Sequence, residues 1–318
     1  MKGDIRMPIV KPTEMNFSNK NIIMIISGLP GTGKTTLALS SPDVLLIDTD
    51  EGLARVNPAH RKDASVCKTY EEILADLKAA EGQYKTVVID TCGALIEYMK
   101  DWAMRTDPKA SKTNGGFSLQ GYGVIKSEFI RLSAELRKKF NVIYLFHENM
   151  TKNGDEGVFY ELVVEGSTRT LVYQPADLAA HLFIQNGRRY LGFTPTEQYS
   201  AKSAYGIKGL IEVPELADGD PNDFLTKLFA RVRENLAKET ETLAPQKDAY
   251  DKAIKMAMAI CDKVTKPEDI PDAADAIKSL PHALTSEKEG VAMLKNKMSA
   301  LGITYDKAKG QYVYKSTE

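Results

Sequence analysis

Cysteine is scarce in this chain: Cys67, Cys92 and Cys261 are the only three in 318 residues. None belongs to a Cys-x-x-Cys pair and none has a histidine partner nearby in sequence, which excludes a disulfide framework and a thiolate zinc site. Long apolar runs are missing as well. No stretch approaches the length of a membrane span, and the opening Met1-Lys2-Gly3-Asp4 has no apolar signal core. The expectation is a reduced, cytoplasmic protein with no membrane partner. An excess of one charge sign is also lacking, since 42 Lys and Arg face 43 Asp and Glu. Any attraction for nucleic acid must therefore be local. There is no internal repeat and no low-complexity tract. An apolar content of 43% and a charged content of 27% are ordinary for a globular chain, and the length suits one large α/β domain with a smaller appendage.

Against this plain background stands Gly28-Leu29-Pro30-Gly31-Thr32-Gly33-Lys34-Thr35, followed by Thr36. It fits G-x-x-x-x-G-K-[ST], whose four fixed positions match by chance on the order of once per hundred chains of this length. Glycines let successive backbone N–H groups turn inward as an anion-binding nest. The helix that follows starts beneath the phosphates and offers them its unsatisfied N–H groups. Lys34 reaches the β and γ phosphates, and the Thr35 hydroxyl is placed for Mg²⁺. The phosphate cradle is thus Gly28, Pro30, Gly31, Thr32, Gly33, Lys34, Thr35 and Thr36.

The surroundings agree. Residues 22–26 (IIMII) read as a fully buried strand that runs into the loop, and Ser41-Pro42 stops the helix beyond it. Further strands are expected at 44–47, 65–67, 86–89 and 142–146, with helical segments between them. Thr69 with Glu72 forms a capping box ahead of Ile73, Leu74 and Leu77. Ile125, Phe129, Leu132, Leu136 and Phe140 make the apolar stripe of a later helix. Residues 159–164 read as extended, and Asn186-Gly187 signals a hairpin between 181–185 and 188–193. The fold expected is α/β: a mostly parallel sheet flanked by helices, a late antiparallel hairpin, and a small helical C-terminal unit. The expected divisions are an extension at 1–20, a nucleotide domain at 21–234, a polar linker or solvated helix end at 235–247 and a helical unit at 248–318. In that last unit Ile254, Ala257 and Cys261 form one stripe, and Ser286 with Glu289 a second capping box.

Ligands in such sheets sit beyond the carboxyl ends of the strands. Residues 86–90 (TVVID) are a hydrophobic strand ending in an acid, so Asp90 is the expected Mg²⁺ carboxylate. Hydrolysis also needs a group that orients water, and the residue after Asp90 is Thr91 rather than an acid. The strand at 44–47 leads into Asp48-Thr49-Asp50-Glu51; Asp50 is the first choice for this carboxylate, with Glu51 the substitute. His147-Glu148 ends another strand, where His147 is placed to sense the γ-phosphate.

An acid at the end of the strand after the P-loop helix is the RecA arrangement, and residues 47–53 (IDTDEGL) resemble the corresponding RecA segment. The P-loop, Asp48 to Gly52, Val88-Ile89-Asp90, Tyr122-Gly123 and His147-Glu148 together are similar to phage-encoded RecA-core ATP-binding proteins. Some of these are single-strand-annealing recombination proteins (the Sak group). The resemblance implies an ATPase with ATP and Mg²⁺ as cofactors, single-stranded DNA as partner, and a place in phage recombination, annealing or replication. It also implies two mobile DNA-binding loops, here at 106–123 with Lys109, Lys112 and Phe117, and at 149–169 with Lys152 and Arg169. Between Arg105 and Lys139, eight bases outweigh three acids. Phe117 or Tyr122 would stack a base. With only about twenty residues ahead of the first strand, rings or short homo-oligomers are expected rather than filaments. Lys202, Lys208, Arg188 and Arg189 are the candidate trans-acting cations. Two other readings stand open beside this one: a P-loop small-molecule kinase, and an ATP-gated adaptor that loads a replication partner through its C-terminal helices.

Overall fold

Strands made of β-branched and other apolar residues need cover on both faces, and in this protein helices flank the parallel sheet they form. The computed structural model describes residues 19–112, 115–152, 157–164, 168–217, 219–307 and 309–315. Most of the expected 1–20 extension lies outside them. The chain forms two compact units, a core unit, Ser18–Asn235, and a second unit that contains Leu236–Glu318.

In the core unit the strands are β1 (Ile23–Gly28), β2 (Val44–Asp48), β3 (Ala64–Val66), β4 (Thr86–Asp90), β5 (Asn141–Lys152), β6 (Val158–Leu162), β7 (Leu178–Gln185), β8 (Arg188–Gly192) and β9 (Leu210–Val213). The sheet order is β3-β2-β4-β5-β1-β7-β8-β9, with β6 paired to β5 off that path. Every pairing from β3 to β7 is parallel. The turn at Asn186-Gly187, with φ 51° and 77°, then reverses the chain so that β8 and β9 close the edge antiparallel. Strand β5 is inserted between β1 and β4, which is the RecA-like order.

Helices α1 (Lys34–Ala38), α2 (Tyr70–Ala79), α3 (Cys92–Thr106), α4 (Leu119–Arg137) and the short α5 (Thr168–Leu171) connect these strands. The Thr69 side chain accepts from the Glu72 amide at 3.2 Å, as the capping-box spacing predicts. The stripe from Ile125 to Phe140 packs with Tyr144, Phe146 and the inner faces of α2 and α3 into one core. Asp177 fixes the start of β1: it accepts the Ile23 amide at 3.0 Å and pairs with Arg137 and Lys20.

Two expectations about loops are corrected. Strand β5 does not stop at residue 146 but runs to Lys152, where Glu148–Lys152 pairs antiparallel with β6. The described part of the segment from 149 is therefore a β-ribbon, because Met150, Thr151 and Val158 to Leu162 supply the residues a ladder needs. Likewise the loop expected at 106–123 is shorter. Helix α3 reaches Thr106, and α4 begins at Leu119, where Ser118 caps it by accepting the Gly121 amide at 3.0 Å.

The expected linker at 235–247 is helical. Helix α6 runs from Phe224 to Lys263 with Pro245 inside it, since Leu236, Ala237, Lys238, Glu239 and Glu241 of this stretch are good helix formers. The second unit continues with α7 (Asp269–Lys278), α8 (Ser286–Ala300) and an antiparallel hairpin of β10 (Ile303–Asp306) and β11 (Gln311–Tyr314). The capping box expected from Ser286 and Glu289 does not form. Ser286 Oγ accepts the Ala283 amide at 3.0 Å, while Glu289 takes hydrogen bonds from Thr285 and Tyr250, each at 2.7 Å.

Candidate functional site

The P-loop leaves β1 at Gly28, where a Cβ would stand 2.4 Å from the Leu182 carbonyl oxygen of β7. Only glycine lets the two strands approach this closely. Gly31 and Gly33 take φ 82° and 89°, the left-handed region that a nest of inward N–H groups requires. Lys34 is buried, and its Nζ donates to the carbonyls of Gly28 and Leu29 at 2.9 and 3.0 Å. Burial pulls its pKa down, and Asp90, Glu148 and Asp50 push back.

Across the cleft, the Thr35 hydroxyl donates to Asp90 Oδ2 at 2.6 Å. Asp90 is buried at the end of β4. Its pKa is pushed up to about 6, first by desolvation and then by the charges of Asp50 and Asp48, against the Thr35 bond and Lys34. A buried acid whose charge is under-compensated, facing a hydroxyl and an ammonium, suits a divalent cation. The positive-φ glycines, Lys34, and the Thr35–Asp90 pair together fit a metal-bound phosphate chain, with Thr35 and Asp90 as the residues that would hold the metal.

Asp48 has a structural role here. It ends β2 and accepts the amides of Gly52 and Leu53 at 2.8 and 2.9 Å, which folds the acidic turn back toward the P-loop. Gly52 is the pivot: its Cβ would meet Asp50 Oδ1 at 2.9 Å and Asp90 Oδ2 at 3.3 Å. Asp50 therefore stands close to Asp90. It also pairs with Arg55 at 3.3 Å and faces His147 Nε2 at 3.8 Å. Burial and the Lys34 charge hold the His147 pKa below its ordinary value, with Asp50 opposing. Lys34, Thr35, Asp50, Asp90 and His147 are thus brought together. Glu51 is exposed at φ 59°, and among the described residues no hydrogen bond or ion pair joins it to them.

Below this group lies a buried pair that no sequence motif links. Glu148 and His181 are each 2% exposed, with Oε2 and Nδ1 2.7 Å apart in a contact that lacks hydrogen-bond alignment. Strand β1 lies between β5 and β7, Gly28 sits opposite His147, and Ser27 sits opposite His181. The pair therefore closes over the point where β1 becomes the P-loop. Tyr199 stacks on the His181 ring at 4.4 Å, and Tyr160 of β6 leans on it at 4.8 Å.

The expected DNA-binding residues fare unevenly. Lys109, Lys112 and Lys152 are exposed. Phe117 instead packs edge-on against Tyr122 at 5.0 Å and against the core, so it is not presented for stacking. Arg169 pairs with Glu161 at 2.7 Å. The basic stretch from 105 to 139 is largely neutralised: Arg105 pairs with Glu71, Arg131 with Glu128, Arg137 with Asp177, Lys138 with Glu135, and Lys139 with Glu81. Among the described residues, Lys109, Lys112 and Lys126 carry no ion pair.

Of the cations considered for action in trans, Arg188 pairs with Glu212, and the Lys202 ammonium donates to the Tyr173 carbonyl. Arg189 lies against its own P-loop, with Nη1 3.4 Å from the Cβ position of Gly33. An open cleft of about 650 Å³ adjoins His147, bounded by Thr91, Glu97, Asn149, Glu161 and Arg169. No described helix is long and apolar enough to cross a membrane.

Comparison with known proteins matches the model of the AAA domain family to residues 20–205, more than half of the chain. No curated protein matches. Among solved structures, an ATPase from the type III secretion system of pathogenic bacteria is similar at 16% identity and a TM-score of 0.34, over 52% of this chain and 51% of its own. The chain thus spans about half the length of that protein. The flagellar accessory protein FlaH from Methanocaldococcus jannaschii is similar at 14% identity and a TM-score of 0.30, over 62% of this chain and 91% of its own. The family match covers the P-loop, both acidic strand ends and the strand that carries His147, and on that ground the chain belongs to the AAA domain family, with a P-loop ATPase core of RecA-like fold.

Proposed function

We propose that this protein binds and hydrolyses Mg-ATP and uses the cycle to act on single-stranded DNA, in the manner of phage recombination, annealing or replication ATPases working in the host cytoplasm. The observation that carries the ATPase half is the 2.6 Å bond from Thr35 to Asp90, with Asp50 beside it and His147 beyond. Thr35 and Asp90 would hold Mg²⁺, which supplies charge neutralisation on the phosphates. Lys34 and the P-loop amides bind the phosphate chain. Asp50 orients the attacking water, and His147 reads whether the γ-phosphate is there.

The DNA half is supported by continuity. The strand that carries His147 continues as the β5–β6 ribbon, which presents exposed Met150 and Lys152. The Lys152 cation suits a backbone phosphate, and the Met150 side chain adds exposed apolar surface beside it. The test is the ATPase rate with and without an oligonucleotide at moderate salt, for the wild type and for Met150→Ala with Lys152→Ala. Stimulation that the double variant loses supports the proposal; absence of both stimulation and salt-sensitive binding removes the DNA half.

A second reading rests on the cleft of about 650 Å³ beside His147, which has room for a small phosphoryl acceptor. Transfer to a member of a nucleoside or sugar panel, faster than hydrolysis, would favour this kinase reading over the first.

A further inference from the structure

In the second unit, the end of α6, α7, a turn at 279–285, α8 and the β10–β11 hairpin follow one another: a helix-turn-helix with a hairpin wing. The helices meet closely at Gly290 of α8, whose Cβ would stand 3.0 Å from Ile277 of α7 and 3.2 Å from Ala257 of α6. The turn is held by His282, whose Nε2 lies 2.6 Å from the Ile277 carbonyl and whose Nδ1 lies 3.1 Å from Ser286 Oγ. Gly290, Leu294, Met298 and Leu301 turn α8 toward the core of this unit. On the opposite side Lys288, Ala292, Lys295 and Ser299 recur at spacings of four, three and four, with Asn296 alongside, and all five are exposed.

Charge is divided within this unit. From Ser286 to Lys315 there are six lysines (288, 295, 297, 307, 309, 315) against three acids, Glu287, Glu289 and Asp306. Glu289 is occupied by Thr285 and Tyr250, and no acid lies on the outer stripe of α8. Helix α7 has the reverse balance, with Asp269, Asp272 and Asp275 against Lys278. Lys307 and Lys309 are exposed at the tip of the hairpin, Lys309 in a loose ion pair with Asp306 at 3.9 Å.

We propose that the outer face of α8 enters the major groove of double-stranded DNA, with the β10–β11 wing tip on the adjacent backbone. Cations flanking a central alanine let the helix sit deep between phosphate rows, and Asn296 and Ser299 offer amide and hydroxyl groups to base edges. A duplex suits this face better than a single strand, because no aromatic side chain lies on it and single-strand binding relies on stacking. The exposed Tyr305 and Tyr314 lie elsewhere, along a groove with Pro267, Pro271 and acidic Glu268. This site is separate from the core ribbon and needs no nucleotide.

The test uses the full chain without ATP, with a fluorescent duplex of about 24 base pairs and its single strand, across about 50 to 200 mM salt. The wild type should prefer the duplex. Lys288→Ala with Lys295→Ala should weaken duplex binding at least about tenfold at the lower salt and reduce the log–log salt slope by about 2, since each phosphate contact contributes about 0.9. Lys307→Ala with Lys309→Ala should lower the slope similarly, and both pairs should keep the wild-type melting temperature and ATPase rate. Lys34→Ala should lose ATPase activity and keep duplex binding, so failure at the core is distinguishable from failure here. Equal affinity for single strand and duplex in a chain that also carries Met150→Ala and Lys152→Ala, no duplex binding at about 50 mM salt, or α8 variants that bind like the wild type would each overturn the proposal.

Discussion

Replacing Asp90 with Asn separates what this carboxylate does for function from what it costs the fold. Its pKa stands at about 6 instead of the ordinary 3.8, chiefly because burial removes it from water. That interval corresponds to ~3 kcal/mol, with the folded protein holding the proton more tightly than the unfolded chain. Below about pH 4 both states are protonated and nothing is lost. Between about pH 4 and 6 the unfolded carboxyl gives up its proton first, so stability falls as pH rises. Above about pH 6 the full cost is present. An asparagine carries no such charge and can still accept from Thr35. Asp90→Asn should therefore melt higher than the wild type at about pH 7.5, by up to roughly 6–12 °C for a core of this size. The advantage should shrink as pH falls and vanish near pH 4. The same variant should lose Mg²⁺-dependent hydrolysis. Thermal melts of both proteins across this range are the assay. A variant that melts no higher than the wild type at neutral pH, or whose advantage does not change with pH, refutes the claim that Asp90 is held against desolvation.

Asp50→Asn should bind nucleotide normally and slow turnover by on the order of 10²–10⁴, while Glu51→Gln stays within a few-fold of the wild type. Nucleotide titration beside steady-state rates decides this, and the opposite pattern would move the water-orienting role one residue on. Gly28→Ala drives a methyl group into the Leu182 carbonyl and should cost at least ~1–3 kcal/mol, read in a urea titration. Glu148→Ala leaves the buried His181 imidazole facing an emptied site and should destabilise by at least ~1 kcal/mol in the same titration, with Glu148→Gln losing less.

Legibility in the sequence followed the range of each signal. The P-loop was readable because all its parts are contiguous, and Asp90 because a strand end beside a P-loop has few other uses. Asp50 stands ahead of Glu51 in the sequence only as one of three acids at a strand end, and the geometry around them, the Asp48 carboxylate capping Gly52 and Leu53, is written in backbone amides that no motif records. The basic stretch from 105 to 139 misled for a related reason. Its neutralising partners Glu71, Glu81 and Asp177 lie on other elements, and a local charge count cannot include them. Phe117 has the composition of a stacking residue, yet Gly121 one helical turn away leaves space into which its ring folds. His181 was the least visible. It sits at a strand position that alternation alone explains, and its importance depends on Glu148, 33 residues earlier in the chain but 2.7 Å away.

That last pair bears on how a nucleotide site could govern a distant surface. His147 faces Asp50 and the P-loop, and the next residue, Glu148, is tied to His181 of β7. From there β5 runs without interruption to Lys152, stiffened by its ladder with β6, and at about 3.3 Å per residue this places the ribbon's end ~17 Å beyond His147. A shift at His147 has two outlets. It can break the buried Glu148–His181 contact, which is costly, or it can tilt the strand about that contact as a fulcrum. Because Tyr160 of β6 rests on the His181 ring, a tilt about this point carries the ribbon with it. Small displacements at the phosphate end are therefore lengthened at Met150 and Lys152. A flexible loop in the same place would absorb the displacement, so the ladder between β5 and β6 is what would let the strand that carries His147 transmit it.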